Sequence, residues 1–167
     1  MKFGRVALLL AAATALQFFV GGSRHRGAWP VDCFLIATAI VARGGNPSRA
    51  VLVGGALGFL EDAFAHELLG MNAFAKAALG YVLAVLSVRV VFGGAWAVGG
   101  AVALASLVND EIVALLALLI LRAPLVLFSR DAFWRAVATG VTAGLLEAAR
   151  KFPWRDWWKR RILRRLR

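Results

Sequence analysis

The stretch from Gly54 to Tyr81, GGALGFLEDAFAHELLGMNAFAKAALGY, decides how the chain is read. Gly54 and Gly58 stand four apart in an apolar run, three carboxylates follow at Glu61, Asp62 and Glu67, and a second apolar run opens with Asn72 and carries Lys76. Apolar segments this long, with charge this sparse, suit a bilayer and predict a helical hairpin in a membrane. The polar residues must then reach an interface or find partners inside the protein. At helical spacing Asn72, Lys76 and Gly80 share one face, and Phe74 points elsewhere. Gly54, Gly58 and Asp62 also share a face. If that face meets the second helix, Lys76 pairs with Asp62 or Glu61; otherwise Lys76 snorkels outward.

Composition supports a membrane class. Of 167 residues 61% are hydrophobic and 17% charged, and the mean hydropathy is +0.75. An ordinary soluble domain is closer to half apolar and a quarter charged. The lone Cys33 rules out an intramolecular disulfide. Net charge is +11, of which Lys151–Arg167 supplies +7, from eight Lys/Arg and one Asp. Beside an apolar bundle, lipid headgroups rather than nucleic acid are the nearer anion.

Outward from the hairpin, six apolar segments are expected. The first, about Phe3–Val20, imitates a cleavable signal peptide, but its apolar run continues past Ala15, so it is read as a spanning helix. The second, about Val31–Arg43, covers only roughly 20 Å of a ~30 Å hydrocarbon layer. Pro30 suits its start, and Asp32 suits its first turn, against the helix dipole. Ser48 is expected to cap the third segment, about Arg49–His66. The fourth is about Met71–Phe92, the fifth about Ala95–Leu121 and the sixth about Ala132–Arg150. The division is a transmembrane domain over residues 1–150 and a basic, aromatic interfacial tail over 151–167. With six spans both termini share a side. That side carries Lys2, Arg5, Arg43, Arg49, Arg89 and the tail, against Arg24, Arg26, Arg122, Arg130 and Arg135 opposite, so both termini are expected in the cytoplasm.

Several motifs have two readings. The pairs Gly54/Gly58 and Gly140/Gly144, the latter extended by Ala136 and Ala148, serve internal packing or the docking of a foreign helix. Asn109-Asp110-Glu111 lies near the middle of the fifth segment. Either that segment is broken or shifted, or the triad faces the bundle interior with a partner. The tail residues Trp154, Trp157, Trp158, Lys159, Arg160, Arg161, Arg164 and Arg165 form a lipid-binding anchor or a docking site for a cytoplasmic protein. No metal set is legible: Asp62 and His66 alone are too few ligands. No nucleophile–base pair or phosphate-cradling loop appears. The chain therefore reads as a non-enzyme without a cofactor, either a transporter or binding subunit or a scaffold working through helix contacts.

The pattern G-x-x-x-G-F-L-x-D at Gly54–Asp62, followed by L-L-G-M-N-A-F-x-K-x-x-x-G-Y at Leu68–Tyr81, resembles the core of the MreD family, the membrane subunit of the bacterial rod-shape machinery. Pro30-Val31-Asp32 and Ala42-Arg43-Gly44 add to the resemblance, which covers roughly Pro30 to Tyr81. It implies a six-helix bundle similar to the S-components of vitamin transporters. It implies a non-catalytic scaffold of the elongation complex in the bacterial inner membrane, binding MreC directly. MreB, RodA and a class B penicillin-binding protein would be its wider partners. Anionic lipids are expected to bind and nucleic acid is not; a homodimer is left open. Structural or partner-binding roles are then expected for Pro30, Asp32, Gly54, Gly58, Phe59, Glu61, Asp62, Gly70, Asn72, Lys76, Gly80, Asp110, Glu111, Gly140 and Gly144. The alternative is a small-molecule-binding, S-component-like subunit of a transporter.

Overall fold

The computed structural model describes residues 31–65, 68–89, 94–122, 124 and 126–151, together with Ala15. These residues are all-helical. Five helices follow one another: α1 Cys33–Ala42, α2 Pro47–Ala65, α3 Met71–Arg89, α4 Ala95–Leu121 and α5 Arg130–Lys151. They correspond to segments two to six. The first segment apart from Ala15, Pro30 and the tail residues from Trp154 to Arg165 lie outside the described residues, so six spans are not seen.

Among the described residues two helices, α3 and α4, are long and apolar enough to cross a membrane. The expectation of a span from every segment is corrected to that extent. The reasons are local. The ten residues of α1 rise only ~15 Å. Arg49, Glu61 and Asp62 interrupt α2, and α5 carries charge at both ends, from Arg130 and Asp131 to Glu147, Arg150 and Lys151.

The short helix α1 is the centre of the packing. Nine of its ten residues are buried, and Ile40 is the exposed one. Phe34, Ala37 and Val41 meet Val53 and Leu57 of α2. Leu35 meets Leu79 of α3 and Ala105 of α4. Ile36 and Ala39 meet Val98 and Val102 of α4 and Ala143 of α5. A helix apolar on every side belongs inside protein, and that is how a segment too short for the bilayer is accommodated.

Around it stand two antiparallel hairpins. In the first, a Cβ on Gly54 or Gly58 would run into the carbonyl of Lys76 or Asn72, and one on Gly80 would lie 2.6 Å from the Ala50 carbonyl oxygen. In the second, Gly99 and Gly140 bring α4 and α5 together: a Cβ on Gly140 would lie 2.7 Å from the Gly99 carbonyl oxygen. Both glycine pairs singled out in the sequence are therefore consumed inside the chain. Ala136 is buried beside the second pair, whereas Ala148 is exposed and drops out of the ladder.

Turn chemistry differs from expectation at one place. Asn46, not Ser48, caps α2, its Oδ1 accepting from the Arg49 amide at 3.0 Å, and Pro47 takes the first helical position. Gly45 and Gly70 close their turns with φ of +68° and +110°, a backbone region that a side chain resists.

Candidate functional site

The amino group of Lys76 is the centre of a buried charge cluster. Lys76 sits on the second turn of α3, and its Nζ lies 2.6 Å from Glu61 Oε2 and 2.8 Å from Asp32 Oδ2. Its side chain is fully enclosed. The glycines explain the first contact: α2 lies so close to α3 that the carboxylate at the end of one helix reaches the ammonium at the start of the next. The second contact follows from direction. α1 runs parallel to α3, which puts its N-terminal residue beside the N-terminal turns of α3. Asp32 also caps α1, its Oδ1 accepting from the Leu35 amide at 2.7 Å, while its own amide donates to Thr139 Oγ1 of α5 at 2.9 Å.

Asp62 has a different task. Its carboxylate accepts from the amides of Gly70, Asn72 and Ala73 and from the Asn72 side chain, at 2.8 to 3.3 Å. Those amides are the orphan donors at the start of α3. A carboxylate from the preceding helix thus supplies the N-terminal cap across the turn. This leaves Glu61 and Asp32 as the acids facing Lys76, so of the two expected partners only Glu61 holds. Asn72, Lys76 and Gly80 share the buried face, and Phe74 is exposed, as the helical spacing requires. Phe59 is exposed as well and takes no part in the cluster.

The remaining two helices close the site. Asp110 of α4 pairs with Arg135 of α5 at 3.3 Å, and the charges of Asp32 and Lys76 also act on it. Helix α4 runs unbroken through the triad, so the reading of a broken segment is set aside. Glu111 accepts the Phe128 amide at 2.8 Å and ties the following loop back to the helix. Asn109 and Ser106 are buried, and among the described residues Asn109 Oδ1, Ser106 Oγ and Asp110 Oδ2 lack a hydrogen-bond partner. The five helices thus contribute Asp32, Glu61, Lys76, Asp110 and Arg135 to one polar core, three acids against two bases. No group of three or more His, Cys, Asp or Glu side chains among the described residues is placed to hold a metal ion.

A second ionic centre marks the opposite end. Glu147 of α5 is buried and accepts from Nη1 and Nη2 of Arg43, which follows α1. Arg150 donates to it through Nε and Nη2, each at 3.0 Å, and Lys151 Nζ lies 3.4 Å away. Ser87 of α3 donates to the Ala42 carbonyl at 3.0 Å. This end also carries Arg49 and Arg89.

Sequence reasoning named Asp32, Glu61, Lys76, Asp62, Asn72 and Asp110 but assembled only part of the arrangement. It missed Arg135, Thr139 and the Arg43–Glu147 bond, each of which joins α5 to elements about a hundred residues or more away or across the second hairpin. The charges on α5 were the available signal, because a carboxylate such as Glu147 in an apolar helix calls for a basic partner. Compared with known proteins, the chain matches no family model, no curated protein and no solved structure.

Proposed function

We propose that the chain is a non-catalytic membrane scaffold of the bacterial elongation complex, similar to MreD. It would be a six-helix membrane bundle, α1 sheltered by its neighbours, with both termini in the cytoplasm, working through helix contacts with MreC. One observation carries this reading. Six of the residues on which the resemblance rests, Gly54, Gly58, Asp62, Asn72, Lys76 and Gly80, fall in a single α2–α3 interface, where each has a packing or bonding task, while Phe59, Leu68, Leu69, Phe74 and Tyr81 of the same motif are exposed. A motif whose members act together is better support than one scattered over a surface. The test is depletion in a rod-shaped host, scored for rounding, with co-purification of MreC. Rounding with loss of the MreC complex is expected; normal rods would refute the proposal.

A second reading has one observation in its favour. The unpartnered buried oxygens of Ser106, Asn109 and Asp110 would suit a small-molecule-binding, S-component-like subunit. Loss of vitamin uptake on depletion, with normal cell shape, would select it.

A further inference from the structure

The helices around α1 do not complete a ring. Phe34, Ala37 and Val41 face α2, Leu35 faces α3 and α4, and Ile36 and Ala39 face α4 and α5. At about 100° of turn per residue, Ile40 falls in the sector left between the α5 side of α1 and its α2 side. It is the one exposed residue of the helix. Among the described residues α2 and α5 have no packed interface with each other, although each packs on α1. The result is a furrow with Ile40 on its floor. By the same rotation Ala56 and Leu60 stand on the flank of α2 away from α3, and Thr142 and Leu146 on the flank of α5 away from α4. Ala56 and Leu146 are exposed and Leu60 is half-buried. The Thr142 hydroxyl donates to the Ala138 carbonyl of its own helix at 2.8 Å, so its methyl is left to line the wall.

The chain itself supplies an occupant. The apolar run Phe3–Val20 would rise ~27 Å as a helix, close to the length of α2. Gly21–Asp32 joins it to the start of α1 and reaches ~40 Å when extended, against the ~10 Å between the axes of packed helices. So short a tether holds the run beside α1 at an effective concentration on the order of millimolar, ahead of an untethered helix. We infer that Phe3–Val20 lies in the furrow as a helix antiparallel to α1 and packs against Ile40. Ala15 is helical and exposed, which turns the opposite stripe, Val6, Leu10, Ala13 and Gln17, inward. Gln17, the polar member, then falls nearest the connecting stretch, at the end of the furrow where Arg135 stands on α5. The inference rests on the six-helix membrane reading above and gives its first helix a seat.

The test is disulfide trapping in the full chain, purified in mild detergent, with Cys33→Ala as background so that no other thiol competes. Ala13→Cys and Leu10→Cys, each combined with Ile40→Cys, sample two registers of the stripe against the furrow floor. Ala15→Cys with Ile40→Cys is the control from the exposed side. Cysteines whose Cα atoms stand more than about 7 Å apart do not bridge without backbone movement. The faster of the two stripe pairs is therefore expected to link within one chain at least about tenfold faster than the control. Leu10→Cys with Leu146→Cys reads the same seat from the α5 wall and should link as well. Stripe pairs no faster than the control would overturn the inference. So would dimers joined through a stripe pair in place of linked monomers, which would give the furrow to a second copy. If the Ile40→Cys variants do not fold, absence of a link between Leu10→Cys and Leu146→Cys overturns it. These rates are read on one purified chain, so they hold or fail separately from cell rounding, which tests the scaffold reading.

Discussion

Replacing Lys76 with methionine is the most informative single perturbation. The change keeps most of the aliphatic volume and removes the ammonium. Asp32 and Glu61 then face one another without the counter-charge they share at 2.8 and 2.6 Å, and Arg135, bonded to Asp110, is the remaining base of the core. Breaking one side of a buried ion pair costs about 3–5 kcal/mol, chiefly through the charge left behind. For a chain of this length, each kcal/mol moves the melting temperature by about 2–4 °C. A loss of about 6–20 °C is therefore expected for Lys76→Met, followed by circular dichroism in detergent. The same physics predicts rescue. Asp32→Asn and Glu61→Gln, added to Lys76→Met, remove both stranded charges, and asparagine remains a competent helix cap for α1. The triple variant should recover more than half of the loss, because a buried charge network replaced as a whole is often neutral. A Lys76→Met protein melting within about 2 °C of the parent would refute the reasoning, as would a triple variant less stable than the single one.

Gly58→Ala should destabilise by about 1–3 kcal/mol, because its Cβ meets the Asn72 backbone, which cannot move aside without separating the hairpin. Gly100→Ala, where a Cβ meets open space, should be neutral or stabilising by up to about 1 kcal/mol; paired melting curves check both. Asp62→Ala should lower folded yield, read by fluorescence-detected size exclusion, and Asp62→Asn should restore part of it, since the amide oxygen still accepts from the start of α3. A double-mutant cycle on Asp110 and Arg135 should return a coupling of no more than about 1 kcal/mol, since Arg135 is more than a third exposed.

The α2–α3 hairpin was legible because its signals are local. Glycine spacing, the carboxylate run and the position of Lys76 all act within thirty residues, and helical periodicity alone puts them face to face. The bounds of α4 were legible for the same reason: Gly94 before it and Arg122-Ala123-Pro124 after it punctuate an apolar run. What remained hidden was pairing between distant elements. Asp32 could be read as a first-turn carboxylate facing the helix dipole, but not as the N-cap of α1 or the second partner of Lys76, because the latter depends on α1 lying parallel to α3. Arg135 and Glu147 could be marked as charges needing partners, without any local rule to choose Asp110 or Arg43. The number of helices that cross a membrane is likewise not a matter of counting apolar runs, since a run as short as α1 can be satisfied by its neighbours.

The position of α1 has a consequence for biogenesis. It is made before every helix that encloses it among the described residues. Asp32 waits 44 residues for Lys76 and 107 for Thr139. At ribosomal speeds of about 5–20 residues per second, the second interval alone lasts roughly 5–20 s. Until α2 and α3 follow, a ten-residue apolar helix has neither the length to cross a bilayer nor, among the described residues, a partner to pack against, and until α5 follows its enclosure is incomplete. The order of synthesis thus leaves the most enclosed helix waiting longest for its last neighbour, α5.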